Sequence, residues 1–393
     1  MKLRVVGAVA LAVVVAGLLA AFGPRPQFTA DGYDYAIVML MDRGMPYAQS
    51  QAQAARFYAR TPIARNPLVH PWLTGKPEYW ELFSVRSVYP WLASRLYPYR
   101  GFRALVDVSR LSYVAVAMLV VLLGMRFAPL RYAVLLSIGV SLFPPWRDLA
   151  RDALTDPLAV VFAAGALLAA AACMTKLTPW RLILFAALCG LLTFTRPIPY
   201  IVLGAGIVAG FAAPRRGDRT GIAAAAWITG IAALWAVAIE IALTHAHTPS
   251  FRWIVADTYQ HFVARGYAPA GETLRAFFVH EELTIAGHAL LKGLMSVVPV
   301  LAIAGMVLRR ADPATPLLAG ACAATWFGAL VDPDRFDVVR CVVMPVAPVL
   351  AAFAAATLAA AAQRVPRALG LPALSMRYFI SRRALVRNST VKE

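Results

Sequence analysis

Arg181-Leu-Ile-Leu-Phe-Ala-Ala-Leu-Cys-Gly-Leu-Leu-Thr-Phe-Thr-Arg196-Pro-Ile-Pro-Tyr200-Ile-Val-Leu-Gly-Ala-Gly-Ile-Val-Ala-Gly-Phe-Ala-Ala213 carries one charge between its ends, Arg196. A run this apolar belongs in a bilayer, as one kinked span or as two short ones. Both flanks are basic: Lys176 and Arg181 on one side, Pro214-Arg-Arg-Gly-Asp-Arg219 on the other. Short basic turns stay in the cytoplasm, so the run must cross an even number of times. Two helices of about 15 residues reach only ~22 Å each, against a hydrocarbon core of ~30 Å. The tip where they meet, holding Arg196, is therefore expected to sit recessed below the outer surface. An arginine there needs water, a partner or an anionic ligand. Pro197 and Pro199 free backbone groups that are tolerated only where backbone is buried in protein or lines a cavity.

The rest of the chain reads outward from this break. It has 393 residues, 60% hydrophobic and only 15% charged, with mean hydropathy +0.65. A soluble domain carries roughly a quarter charged residues. The predicted fold class is all-α: a polytopic integral membrane protein of about ten transmembrane helices, with a long first extracytoplasmic loop carrying interfacial helices. The first span ends near Phe22. It lies behind Lys2 and Arg4 and shows no clear A-x-A cleavage site, so it reads as an uncleaved span. The remaining spans are expected near residues 104–127, 132–143, 157–174, the two halves of 181–213, 221–243, 288–308, 316–331 and 342–362. Pro144-Pro145 ends the short third span; Asp156 suits the N-cap of the fourth and Pro157 its first turn. Residues 1–362 form the membrane domain, with extracytoplasmic loops at 23–103 and 244–287, and 363–393 is a basic tail. Ten spans leave both termini in the cytoplasm.

Net charge is +18, but the arginines cluster between spans and in the tail. That is topology and contact with membrane lipids, and no nucleic-acid partner is expected. Cys173, Cys189, Cys322 and Cys341 form no CxxC, so they read as small core residues. HExxH, GxSxG and the P-loop are absent, which removes the signals for metalloprotease, serine hydrolase and nucleotide motor. His245-Ala-His247 lacks an evident third ligand.

On this topology four polar elements share the outer face. One is Phe28-Thr-Ala-Asp-Gly-Tyr-Asp-Tyr-Ala36, with Asp31 and Asp34 beside Tyr33 and Tyr35. The others are the loop from Arg147 through Arg151 to Asp156, the Arg196 tip, and Asp332-Pro-Asp-Arg-Phe-Asp-Val-Val-Arg340. A carboxylate there can take a proton from an acceptor hydroxyl. Arginines can hold a phosphate by paired, charge-assisted hydrogen bonds. Together these are parts for moving a group off a lipid phosphate. The bland alternative is a set of loop charges that only pair with one another.

The order of these motifs resembles the GT-C membrane glycosyltransferases, in particular the aminoarabinose transferase and protein O-mannosyltransferase branch. The resemblance rests on Asp31-Gly-Tyr-Asp-Tyr-Ala36, Asp42-Arg-Gly-Met-Pro-Tyr47, Thr155-Asp-Pro-Leu158, Phe194-Thr-Arg-Pro197 and Arg340-Cys-Val-Val-Met-Pro345. It implies an inverting, single-displacement transfer from a polyprenyl-phosphate-linked sugar to a lipid, glycan or protein acceptor, at a bacterial inner membrane. It implies Asp31 as base, with Asp34 as its alternate. Arg196 and Arg340 become the first candidates for the donor phosphate, with Arg86, Arg147 and Arg151 behind them. Tyr33, Tyr35 and Asp156 become candidate substrate contacts. A divalent metal, Mg or Mn, is left open, with Asp31 and Asp34 as its candidate ligands. The chain departs from the pattern in three places. Gly32 stands where a second acidic residue is expected, Arg196 replaces a lysine, and no large soluble domain follows the last span. Two rival readings stay open: a secondary transporter or lipid flippase, and a non-catalytic membrane subunit on the same fold.

Overall fold

Proline decides where the long apolar run breaks. The computed structural model describes residues 2–23, 26–65, 81, 83–126, 128–248, 251–264, 268–291, 312, 314–331 and 354–355. In it, one helix ends at Thr195 and the next begins at Tyr200, with Arg196 between them in extended backbone. The two-helix reading of 181–213 is the one observed.

Among the described residues the chain is helical and contains no strand. In order, the helices are α1 Lys2–Ala21, α2 Ala30–Met41, α3 Tyr47–Tyr58, α4 Val88–Arg100, α5 Arg103–Gly124, α6 Leu130–Leu142, α7 Pro144–Leu149 and α8 Asp156–Thr175. They continue as α9 Pro179–Thr195, α10 Tyr200–Ala212, α11 Arg219–His245, α12 Phe251–Ala264, α13 Leu274–Leu291 and α14 Thr315–Val331. Four stretches among the described residues are long and apolar enough to cross a membrane: Leu3–Ala21, Arg103–Gly124, Asp156–Thr175 and Arg219–His245. Shorter apolar helices accompany them at Leu130–Leu142, Pro179–Thr195, Tyr200–Ala212 and Thr315–Thr325. The expected tenth span apart from residues 354–355, Arg340 and the basic tail lie outside the described residues. So does the expected eighth span beyond Leu291. Its first residues belong to α13, which begins well inside the predicted loop 244–287.

Small residues set the packing. The main core runs through α8, α9, α10, α11 and α14 and is rich in alanine, including Ala163, Ala166, Ala170, Ala205 and Ala321. Without a hydrophobic drive between helices in lipid, such residues let backbones approach closely. Gly206 is the clearest case, because a Cβ there would lie 2.5 Å from Thr229 Oγ1 on α11. Gly320 on α14 meets the Gly204 carbonyl of α10 in the same way, at 2.3 Å from an added Cβ. Cys173, Cys189 and Cys322 are buried and free, as core residues.

The described part of the stretch predicted as the first outer loop is itself folded. Helices α2, α3 and α4 pack over the starting ends of α5 and α8 through a second, aromatic core. Tyr35 meets Phe83 and Tyr89 edge-on at 4.8 and 5.1 Å, and Tyr33 meets Tyr58 at 5.4 Å. Pro90 falls in the first turn of α4, where its missing N–H is harmless. The Tyr89 hydroxyl donates to the Leu105 carbonyl at 2.8 Å and fixes α4 on α5.

Candidate functional site

The segment ahead of α2 is tied to the loop ahead of α8. The Gln27 N–H donates to the Arg151 carbonyl at 3.0 Å, and the Ala153 N–H donates to the Gln27 carbonyl at 3.2 Å. This pairing brings the starts of two helices, at Ala30 and Asp156, to one place. Thr29 caps α2: its hydroxyl accepts from the Gly32 N–H at 3.1 Å, satisfying a free first-turn donor. Asp31 then falls in the first turn, where the helix dipole favours a negative charge.

Gly32 is the residue that lets α2 sit this close. An added Cβ would lie 2.7 Å from the Tyr58 hydroxyl, 2.9 Å from Ala153 Cβ and 3.2 Å from the Ala153 carbonyl. The missing second carboxylate noted in the sequence therefore has a steric cause. An acidic side chain at this position would occupy the space of the 151–155 loop.

Asp31 and Asp34 have different surroundings. Asp31 is half-buried, whereas Asp34 is only 7% exposed. Burial pushes the Asp34 carboxyl well above its usual range; the nearby Asp31 charge adds to the rise, and the Arg86 guanidinium opposes it. Burial, with the Asp34 charge second, likewise moves the Tyr33 hydroxyl up to about 12. The Asp34 carboxyl is therefore pushed toward its protonated form.

A chain of polar contacts leads from this pair into the bundle. Arg86 Nη1 donates to the Tyr35 hydroxyl at 3.2 Å, and that hydroxyl shares a hydrogen bond with Thr155 Oγ1 at 3.1 Å. The Arg86 guanidinium lies over the Phe83 ring at 5.1 Å, and its Nε is buried without a hydrogen-bond partner. Thr155 is followed by Asp156, whose carboxylate forms an ion pair with Arg196. Both are buried, with side chains 2% and 11% exposed respectively. The expected N-cap role of Asp156 is thus corrected. Thr155 occupies the cap position, Asp156 is the first helical residue, and its carboxylate is turned to Arg196. The need of the broken helix for a partner is met by protein.

The structure thus gathers Asp31, Asp34, Tyr33, Tyr35, Arg86, Asp156 and Arg196 at one end of the bundle. Tyr35 is fully buried, and its hydroxyl is engaged by Thr155 and Arg86. Arg147 and Arg151 take part in a separate pocket with Arg110, between α1, α5 and α7. Arg340 lies outside the described residues. Arg110 and Thr155 were not singled out as site residues from the sequence. Arg110 had a signal, since a charge seven residues into a predicted span calls for an explanation.

Neither comparison with protein-family models nor comparison with curated proteins gives a match. The reading of the site rests on its own chemistry.

Among the described residues, the donor set around Asp31 and Asp34 does not suit a divalent metal. Among the described residues no group of three or more His, Cys, Asp or Glu is arranged to hold an ion. Asp34, the second carboxyl of the pair, sits where the protonated form is favoured and beside a guanidinium. Mg and Mn take several charged oxygen ligands, so no step is routed through a metal. His245 bonds the Ile241 carbonyl of its own helix through Nδ1 at 3.1 Å.

Proposed function

We propose that the chain is a membrane glycosyltransferase of the GT-C kind, with about ten spans and both termini in the cytoplasm. It transfers a sugar from a polyprenyl-phosphate donor to an acceptor hydroxyl on the extracytoplasmic face. The observation that carries the reading is the meeting of an acid pair of unequal burial with Arg86 at the joined starts of α2 and α8.

Asp31 is the base, because it is the carboxylate that reaches solvent. It takes the proton of the acceptor hydroxyl as that oxygen attacks the anomeric carbon. The bond from the anomeric carbon to the phosphate oxygen breaks with its electron pair, and the polyprenyl phosphate leaves. One displacement of this kind inverts the anomeric centre. Arg86 faces the leaving phosphate with its unengaged Nε. Asp34, whose buried carboxyl is pushed toward its protonated form, weakens the negative field beside the phosphate. Arg196 serves the site indirectly: it neutralises Asp156 and fixes the start of α8.

The test uses purified full-length protein, radiolabelled polyprenyl-phosphate sugars and mixed acceptors. Donor-dependent appearance of label in an acceptor supports the reading. A second reading, a secondary transporter or flippase, draws on the buried Asp156–Arg196 pair at a broken helix, a feature of transport pathways. Substrate flux across sealed vesicles without label transfer would favour it.

A further inference from the structure

The end of α1, the third turn of α5 and the segment 147–151 enclose a second polar feature, apart from the acid pair. Arg110, Arg147 and Arg151 line one narrow cleft together with Tyr113, Leu19 and Ala20. Three guanidinium groups in one cleft repel one another unless an anion lies between them. Among the described residues no carboxylate comes within ion-pair distance of Arg110 or Arg147. Arg151 has two acidic neighbours, Asp148 and Asp152, but each is 3.9 Å away. That is well beyond the roughly 2.7–2.9 Å of a direct charge-assisted hydrogen bond. The Nε atoms of Arg147 and Arg151 are buried and make no hydrogen bond. Buried donors of this kind are rare in folded proteins and call for an acceptor.

We propose that this cleft binds the phosphate of an anionic membrane lipid. Guanidinium forks match phosphate oxygens in geometry and charge, which selects a phosphoester over a carboxylate or a halide. The cleft has about 10 Å³ of open space, enough for one oxygen. The phosphate therefore rests at the mouth with a single oxygen inserted between the arginines. The choice of a lipid over free phosphate comes from α1. Leu18 and Phe22, beside the cleft, are 51% and 85% exposed, and Leu11 and Val14 continue the exposed apolar surface down the helix. Acyl chains can lie along that surface while the headgroup stays at the arginines. The proposal stands whether or not the chain transfers sugars.

The test is native mass spectrometry of the full-length protein released from phosphatidylcholine nanodiscs containing phosphatidic acid. Wild-type protein is expected to retain phosphatidic acid over phosphatidylcholine. Arg147→Gln and, separately, Arg110→Gln are expected to lower that retention about tenfold, the effect of losing one charged hydrogen bond. Arg131→Gln, an exposed arginine at the start of α6, is expected to leave it unchanged. Equal retention of the two lipids by wild type overturns the proposal, as does full retention in both cleft variants. Displacement of the lipid by an equal concentration of inorganic phosphate overturns the choice of a lipid ligand. Inclusion of both variants guards against one of them failing to fold.

Discussion

Removing one partner of the Asp156–Arg196 pair should destabilise the protein far more than removing both. The two side chains are 2% and 11% exposed, so neither charge can turn to water if its partner is lost. Truncating one member of such a pair typically costs about 3–5 kcal/mol, mostly the penalty of a stranded buried charge. Arg196→Met and Asp156→Asn should each fall in this range. The double variant strands no charge, so its cost should be smaller than the sum of the singles by about 2 kcal/mol or more. Expressed as melting temperature at about 2–4 °C per kcal/mol, each single variant should lose on the order of 10 °C in detergent. The assay is thermal unfolding of the three variants and the wild type, followed by circular dichroism. Singles within about 0.5 kcal/mol of wild type would place the pair in water. Additive losses in the double variant would mean that the two residues act separately. Either result refutes the argument that α8 and the α9–α10 break are locked together by this contact.

Two further outcomes follow from the acid pair and its glycine. Gly32→Ala should destabilise the protein, and Gly32→Glu should prevent folding, because the added Cβ meets Tyr58 Oη and Ala153. Tyr58→Phe should rescue Gly32→Ala only in part, since the Ala153 contacts remain; full rescue in a melting assay would contradict the packing. Asp34→Asn should change how stability depends on pH. The folded Asp34 carboxyl is raised above its unfolded value of 3.8. The unfolded state therefore releases this proton first, and the associated stability is lost as pH rises from there through the folded value. The asparagine variant escapes that loss, so its melting temperature should gain on wild type as pH rises above about 4. A constant or shrinking gap across this range would show that Asp34 is not desolvated as described.

Much of the helix pattern was legible because it is written in local chemistry. Pro197 and Pro199 break the long apolar run, and Pro144-Pro145 closes α6. Apolar length found the four helices long enough to cross a membrane, and their observed ends lie within a few residues of the expected ones. What escaped was set by tertiary contact. Asp156 before Pro157 carries every mark of an N-cap, and only its neighbour across 40 residues, Arg196, makes it an ion-pair member. Gly32 looked like a missing acid, because no periodicity in the chain announces that Ala153 lies against it. Arg110 was not singled out, because only the fold brings Arg147 and Arg151 beside it. In each case the deciding partner is distant in sequence, so local spacing carries no trace of it.

The central claim is that Asp31 is the base of a transferase built where α2 meets the start of α8. Its most direct test is single-turnover transfer from a radiolabelled polyprenyl-phosphate sugar by Asp31→Asn protein, with donor binding measured on the same preparation. The amide keeps the size and the helix start but cannot take a proton. The account predicts normal donor binding and a loss of transfer of about 100-fold or more, the scale of a missing general base. Transfer at the wild-type rate by Asp31→Asn would contradict it.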